Sequence, residues 1–312
     1  MSGAAAAPFT VEGVYTAVAT PFEAGEGGGV DWPSFERLIA AQLAGGVAGI
    51  VVCGTTGESP TLTKDEKKAL IRRAVELCAA APAVRVVAGT GSNNTADSVE
   101  LTRFALEAGA HACLVVNPYY NRPQQAGLVA HVAAVAAVGL PVILYNIPGR
   151  SGVNMNVATV AEILRLPLPP GRIAALKDAT GGVDQAADLA LACPGLVVMS
   201  GDDGLTLPFM SVGARGVVSV LSNVAPKPLV EMVRLALAND FAAARRLHDR
   251  LLPLAKTLFC ETNPVPLKAA LAKAGIFATP AVRLPLVGLA AENAAKLAAA
   301  IDKAKADGLE LS

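Results

Sequence analysis

Short apolar runs alternate with amphipathic stretches along almost the whole chain. The runs fall at residues 13–20, 47–53, 84–88, 112–116, 141–145, 173–176, 196–200 and 216–221. They are rich in Val, Ile and Ala and apolar at successive positions, the pattern of strands buried on both faces in a parallel sheet. Between them, apolar residues recur at helical spacing. This predicts helices near 32–44, 64–80, 95–108, 125–138, 157–164, 185–192 and 205–212. Eight strands alternating with helices predict the α/β class and a (β/α)8 TIM barrel. After the eighth run the pattern stays helical, near 227–238, 241–258, 265–274 and 291–306. No flexible linker intervenes. Residues 225–312 are therefore expected to be the last barrel helix plus a C-terminal helical extension, packed with the strands and helices of 1–224 as one unit.

Composition narrows the picture. A chain of 312 residues could form two domains, but a barrel of this size folds as one. Hydrophobic residues make up 53% and charged residues 17%, ample for one large core. So low a charged fraction also hints that other subunits cover part of the surface. Lys plus Arg and Asp plus Glu balance at 26 each, which points to neither a nucleic acid nor a membrane surface as partner. The longest apolar stretch, 129–144, is interrupted by His131, Gly139 and Pro141 and falls short of the ~18 residues of a membrane span. The opening MSGAAAAPFT lacks a basic segment and a long apolar core, so it is expected to be a frayed tail and not a secretion signal. The five cysteines, Cys53, Cys78, Cys113, Cys193 and Cys260, show no CxxC spacing. They are expected to be buried free thiols in a soluble protein of the reducing cytoplasm.

In a barrel of this kind, chemistry collects where strands end and the following loops begin. Gly54-Thr55-Thr56-Gly57-Glu58 follows the second run, Tyr119-Tyr120 the fourth, and Tyr145 then Arg150 the fifth. Gly201-Asp202-Asp203 and the stretch from Val218 to Asn223 close the seventh and eighth. The sixth run ends in Lys177. A lysine at the mouth of an apolar strand is costly unless its charge is paired or used. Asp178 follows directly, so in a strand it points to the opposite face and is a poor ion-pair partner. A lysine desolvated among Ile and Ala has a depressed pKa, which leaves neutral amine for condensation with a carbonyl to a Schiff base. The iminium is an electron sink for C–C bond formation or cleavage, and no metal or organic cofactor is needed. His111, His131 and His248 have no ligand spacing and read as structural. Rim tyrosines and a threonine can pass protons, and Arg150 can clamp a carboxylate.

GTTGES (54–59), NPYYNRP (117–123), YNIPGRSG (145–152), LKDATG (176–181), SGDD (200–203) and NPVPLK (263–268) together resemble the dihydrodipicolinate synthase family. This sits within the N acetylneuraminate lyase-like, pyruvate-dependent class I aldolases. The likeness runs from about Val14 to Lys273. It implies that pyruvate forms a Schiff base on Lys177 and that the enamine attacks aspartate 4-semialdehyde, giving 4-hydroxy-tetrahydrodipicolinate for lysine and diaminopimelate synthesis. By the same resemblance Tyr145 is the proton donor and acceptor, and Thr55 and Tyr120 share its relay, the second tyrosine reaching in from a neighbouring subunit. Thr56 and Val218 hold pyruvate, and Arg150 receives the semialdehyde carboxylate. The implied assembly is a homotetramer, a dimer of tight dimers. The alternatives are a keto-sugar aldolase or dehydratase, or a barrel that binds pyruvate without turnover; the NIPGR pattern favours the synthase.

Two stretches depart from the family pattern. Lysine-inhibited members commonly carry a polar, often His-containing set after the GTTGE loop and a carboxylate at the start of the third helix. The corresponding positions here are Ser59, Pro60, Lys64 and Lys67, with Asn93 and Asp97 across the site. Two extra cations are expected to repel a lysine ammonium, so feedback inhibition is expected to be weak or absent. The Pro-rich RLPLPPGRI (165–173) lengthens the connection before strand six, at the end of the barrel away from the chemistry.

Overall fold

The computed structural model describes residues 9–25 and 27–312; residues 1–8, which include most of the expected N-terminal tail, lie outside the described residues. Eight parallel strands close on themselves in sequence order: β1 Gly13–Ala17, β2 Gly49–Val52, β3 Arg85–Gly89, β4 Ala112–Val116, β5 Val142–Asn146, β6 Ile173–Asp178, β7 Val198–Ser200 and β8 Gly216–Ser219. The helices α1 Trp32–Ala44, α2 Lys64–Cys78, α3 Thr95–Glu107, α4 Gln125–Ala136, α5 Pro148–Ser151, α6 Val157–Leu164, α7 Val183–Ala192, α8 Thr206–Ser211 and α9 Pro226–Leu237 lie between and after them. Then come α10 Phe241–Thr257, α11 Val265–Lys273 and α12 Ala291–Ala306. The protein is a (β/α)8 barrel with a C-terminal helical extension.

The unbroken apolar runs are explained by two cores. Alternate strand residues point inward or outward. Tyr15, Val51, Val87, Leu114, Ile143, Ala175, Met199 and Val218 fill the barrel, while Ile50, Val86, Leu144, Leu176 and Val217 face the helices. Helix starts follow local chemistry. Thr63 and Glu66 cap α2 reciprocally, and Asp31, Asn94 and Asp240 accept backbone N–H groups at the starts of α1, α3 and α10.

The structure departs from expectation in three places. Strand eight stops at Ser219, because the buried Asp203 carboxylate accepts the N–H groups of Val220 and Leu221 and turns the chain away. The stretch after strand five, expected as loop, contains α5 and places Arg150 in its last turn. The thiols of Cys53, Cys78, Cys113 and Cys193 are buried and free as expected, but Cys260 is exposed, just past the end of α10.

Candidate active site

Strand alternation decides which way Lys177 points. Leu176 packs outward, so Lys177 points inward beside its register partners Tyr145 on β5 and Met199 on β7. The side chain is 6% exposed, and its ammonium lies 4.1 Å from the centre of the Tyr145 ring. Gly201 makes room for it: a Cβ there would sit 3.1 Å from Lys177 Cε and 2.7 Å from Ala179 Cβ. Asp178 faces the other way. Its Oδ1 accepts from Thr180 N at 2.9 Å and Thr180 Oγ1 at 2.7 Å, and burial pushes its carboxyl above the usual range. Among the described residues no carboxylate pairs with Lys177, so the ion-pair alternative falls away.

A cavity of about 370 Å³ opens at the C-terminal mouth of the barrel. Thr55, Ser59 and Pro60 from the loop after β2, Tyr119 and Tyr120 after β4, Tyr145, and Arg150 on α5 all line it. Lys177, Thr56 and Val218 are not on its wall; they are buried, Lys177 against the ring of Tyr145, which is. Thr56 Oγ1 accepts a hydrogen bond from Asn263 Nδ2 at 3.0 Å. Val218 sits on β8, registered with Tyr15, inside the barrel. Arg150 Nη2 reaches the Asn263 carbonyl at 3.5 Å. Tyr120 differs from the rest: it lies at the cavity edge, 90% exposed, with φ of 72°. The structure thus gathers Lys177, Tyr145, Thr55, Thr56 and Arg150 at one end of the barrel and leaves Tyr120 facing mostly outward.

Sequence inspection assigned no role to Glu58, Asn263, Lys268 or Arg283, although GTTGES and NPVPLK contain the first three. Glu58 Oε1 accepts from Lys268 Nζ at 2.5 Å and Oε2 from Arg283 N at 3.0 Å. The Lys268 ammonium lies 4.0 Å from the centre of the Phe22 ring. Burial pushes it down to about 8 against the pull of Glu58. Arg283 Nη2 also pairs with Glu66 at 2.5 Å, which holds that carboxyl down near 2.

The stretch beside this loop requires a correction. Lys64 is not an unbalanced cation, since its ammonium meets Asp97 and Glu100 at 2.8 Å each. Lys67 is partly buried, and desolvation lowers its pKa. Asn93 is engaged through its carbonyl, which accepts from Asn121 Nδ2 at 2.8 Å. The histidines are dispersed: His111 Nδ1 accepts from Val86 N at 3.0 Å, His131 Nδ1 meets Thr95 Oγ1 at 3.0 Å, and His248 lies on α10.

Comparison with known proteins identifies the family. The model of the Dihydrodipicolinate synthetase family matches residues 10–304. The 4-hydroxy-tetrahydrodipicolinate synthase of Leptospira biflexa is 45% identical over 287 residues, covering 91% of this chain and 94% of its own. That of Thermomicrobium roseum is 46% identical over 293 residues, covering 93% and 94%. The solved structure of the same enzyme from Methylacidiphilum fumariolicum superposes with a TM-score of 0.90 at 44% identity, over 95% of this chain and 97% of the other. With a single-family match over almost the whole length and a buried lysine at the end of its sixth barrel strand, the chain belongs to the dihydrodipicolinate synthetase family.

Proposed function

We propose that the protein is a 4-hydroxy-tetrahydrodipicolinate synthase that condenses pyruvate with aspartate 4-semialdehyde through a Schiff base on Lys177. The observation that carries this is the buried amine against the Tyr145 ring, with no carboxylate partner among the described residues, beside a cavity rimmed by Thr55 and Arg150. The amine attacks the pyruvate ketone, a C–N bond forms, and the carbonyl oxygen leaves as water. The iminium then releases a methyl proton to give the enamine, whose carbon bonds to the semialdehyde carbon. Attack of the substrate's own amine on the iminium carbon closes the ring and frees Lys177. Tyr145 hands protons to and from these intermediates, with Thr55 and Tyr120 as its relay. Thr56 and Val218 hold pyruvate, and the Arg150 guanidinium receives the semialdehyde carboxylate.

The exposure of Tyr120 supports an assembly in which it serves a neighbouring subunit's site, within a homotetramer built as a dimer of dimers. Leu191, 84% exposed on α7, and the exposed Leu284 and Val287 add apolar surface such an assembly could cover. Within each subunit, 1–224 and 225–312 work as one unit. No helix among the described residues is long and apolar enough to cross a membrane, and we place the enzyme in the cytoplasm.

Borohydride with pyruvate should add one reduced pyruvyl mass to Lys177; intact protein without the adduct would falsify the Schiff-base assignment. A paired assay, semialdehyde condensation against keto-sugar cleavage, separates the synthase from a sugar aldolase. Pyruvate binding with turnover in neither arm would identify a non-catalytic barrel.

A further inference from the structure

The turn that presents Thr55 and Thr56 is gripped from outside the barrel. We propose that Lys268 is a positioning residue of the active site: through Glu58 it fixes this turn, so that the C-terminal extension sets the pyruvate end of the pocket. The inference rests on the roles given above to Thr55 and Thr56.

The first argument is strain. Cys53 and Glu58 bracket the turn with φ of 57° and 52°, the left-handed region that non-glycine residues rarely adopt. Such conformations persist where the surroundings over-determine them, often at functional sites. Glu58 is also tied to the turn by its backbone. Its N–H donates to the Thr55 carbonyl at 3.0 Å, and that of Gly57 donates to the Gly54 carbonyl at 3.1 Å. Displacing Glu58 therefore displaces Thr55.

The second is where Glu58 is anchored. Both carboxylate oxygens are taken by the segment from α11 onward, one by Lys268 Nζ and the other by Arg283 N. The Lys268 and Glu58 side chains are 0% and 1% exposed. Arg283 Nη1 donates to the Thr61 carbonyl at 3.1 Å and so holds the far end of the same turn. Five residues before Lys268, Asn263 donates to Thr56 Oγ1. A hydroxyl that accepts this bond keeps its own proton for an acceptor, such as the carboxylate of pyruvate.

The competing explanation is a pair that only stabilises the fold. Buried ion pairs do that poorly, because well-packed apolar residues of the same volume serve as well or better. What the pair supplies is a fixed length and direction between α11 and a strained turn.

The test uses the full chain with Lys268→Met. We expect kcat/KM for pyruvate to fall about 10²-fold, the scale of a catalytic group displaced by an ångström. The KM for semialdehyde should stay within about threefold, because Arg150 stands on α5 and a local shift leaves its uniform binding intact. Both parameters moving in parallel, or neither moving in a folded variant, overturns the proposal. If Lys268→Met does not fold, Lys268→Met with Glu58→Gln leaves neither side of this pair as a lone buried charge and carries the same readout. A double variant that also stays unfolded makes the pair structural, which equally overturns it. A wild-type protein giving no Lys177 adduct shows instead that the underlying reaction is wrong, before any variant is made.

Discussion

Two buried lysines, Lys177 and Lys268, look alike in sequence. Each closes a short apolar run, IAALK in one case and PVPLK in the other. The fold treats them differently. Lys268 is fully enclosed, bonded to Glu58 and set over the Phe22 ring. Lys177 has an aromatic ring for company and no carboxylate among the described residues. A buried amine without a counter-ion weakens a fold, so its presence against Tyr145, which lines the cavity, is better explained by chemistry than by packing. Burial alone does not mark a reactive lysine; the missing partner does.

The comparison breaks most sharply if the two lysines can be exchanged in their effects. Lys177→Ala should lower kcat on the order of 10⁴-fold or more, the scale of losing a covalent nucleophile, with an unfolding midpoint at or above that of wild type. Tyr145→Phe should cost about 10²- to 10⁴-fold in kcat, as for a general acid–base group; wild-type turnover in that variant removes the relay. Lys268→Met should instead destabilise the protein by about 3–5 kcal/mol in urea unfolding, because Glu58 is left buried and alone. Adding Glu58→Gln should recover most of that loss.

A pH series sharpens the contrast. Folded Lys268, pushed down to about 8, sheds its proton before the unfolded chain does, whose lysines titrate near about 10.4. This group therefore withholds stability below pH 8 and adds it as the pH rises from there. The thiols of Cys53 and Cys113, pushed up to about 12 by burial, act in the opposite sense. The readout is accordingly the stability difference between wild type and Lys268→Met, which should widen between pH 8 and 10. The smallest effect belongs to an exposed lysine. Lys64 already holds Asp97 and Glu100, so free lysine must displace it to find a carboxylate. Half-inhibition should not be reached below about 1 mM lysine, an affinity of about 4 kcal/mol; inhibition of initial rates below that would overturn it.

Much of this was legible in the sequence because periodicity is local. Strand six and its lysine follow from an apolar run, and the inward face of Lys177 from simple alternation. What was hidden depends on closure of the barrel and on distant partners. Glu58 and Lys268 are separated by 210 residues, and nothing in GTTGES announces which distant cation it will meet. Asp203 was read only as part of a rim motif, yet it ends strand eight by taking two backbone N–H groups. The short α5 was missed because four residues are too few to show a helical period.

The bond between Glu58 and Lys268 also imposes an order in time. Chains fold from the N-terminus as they are made, and distant contacts close slowly. A nascent chain that has completed its eight strands already carries Lys177, Tyr145 and both threonines, but not Lys268. The residues proposed for catalysis all exist before the turn bearing two of them is fixed, so maturation of activity should lag behind formation of the barrel.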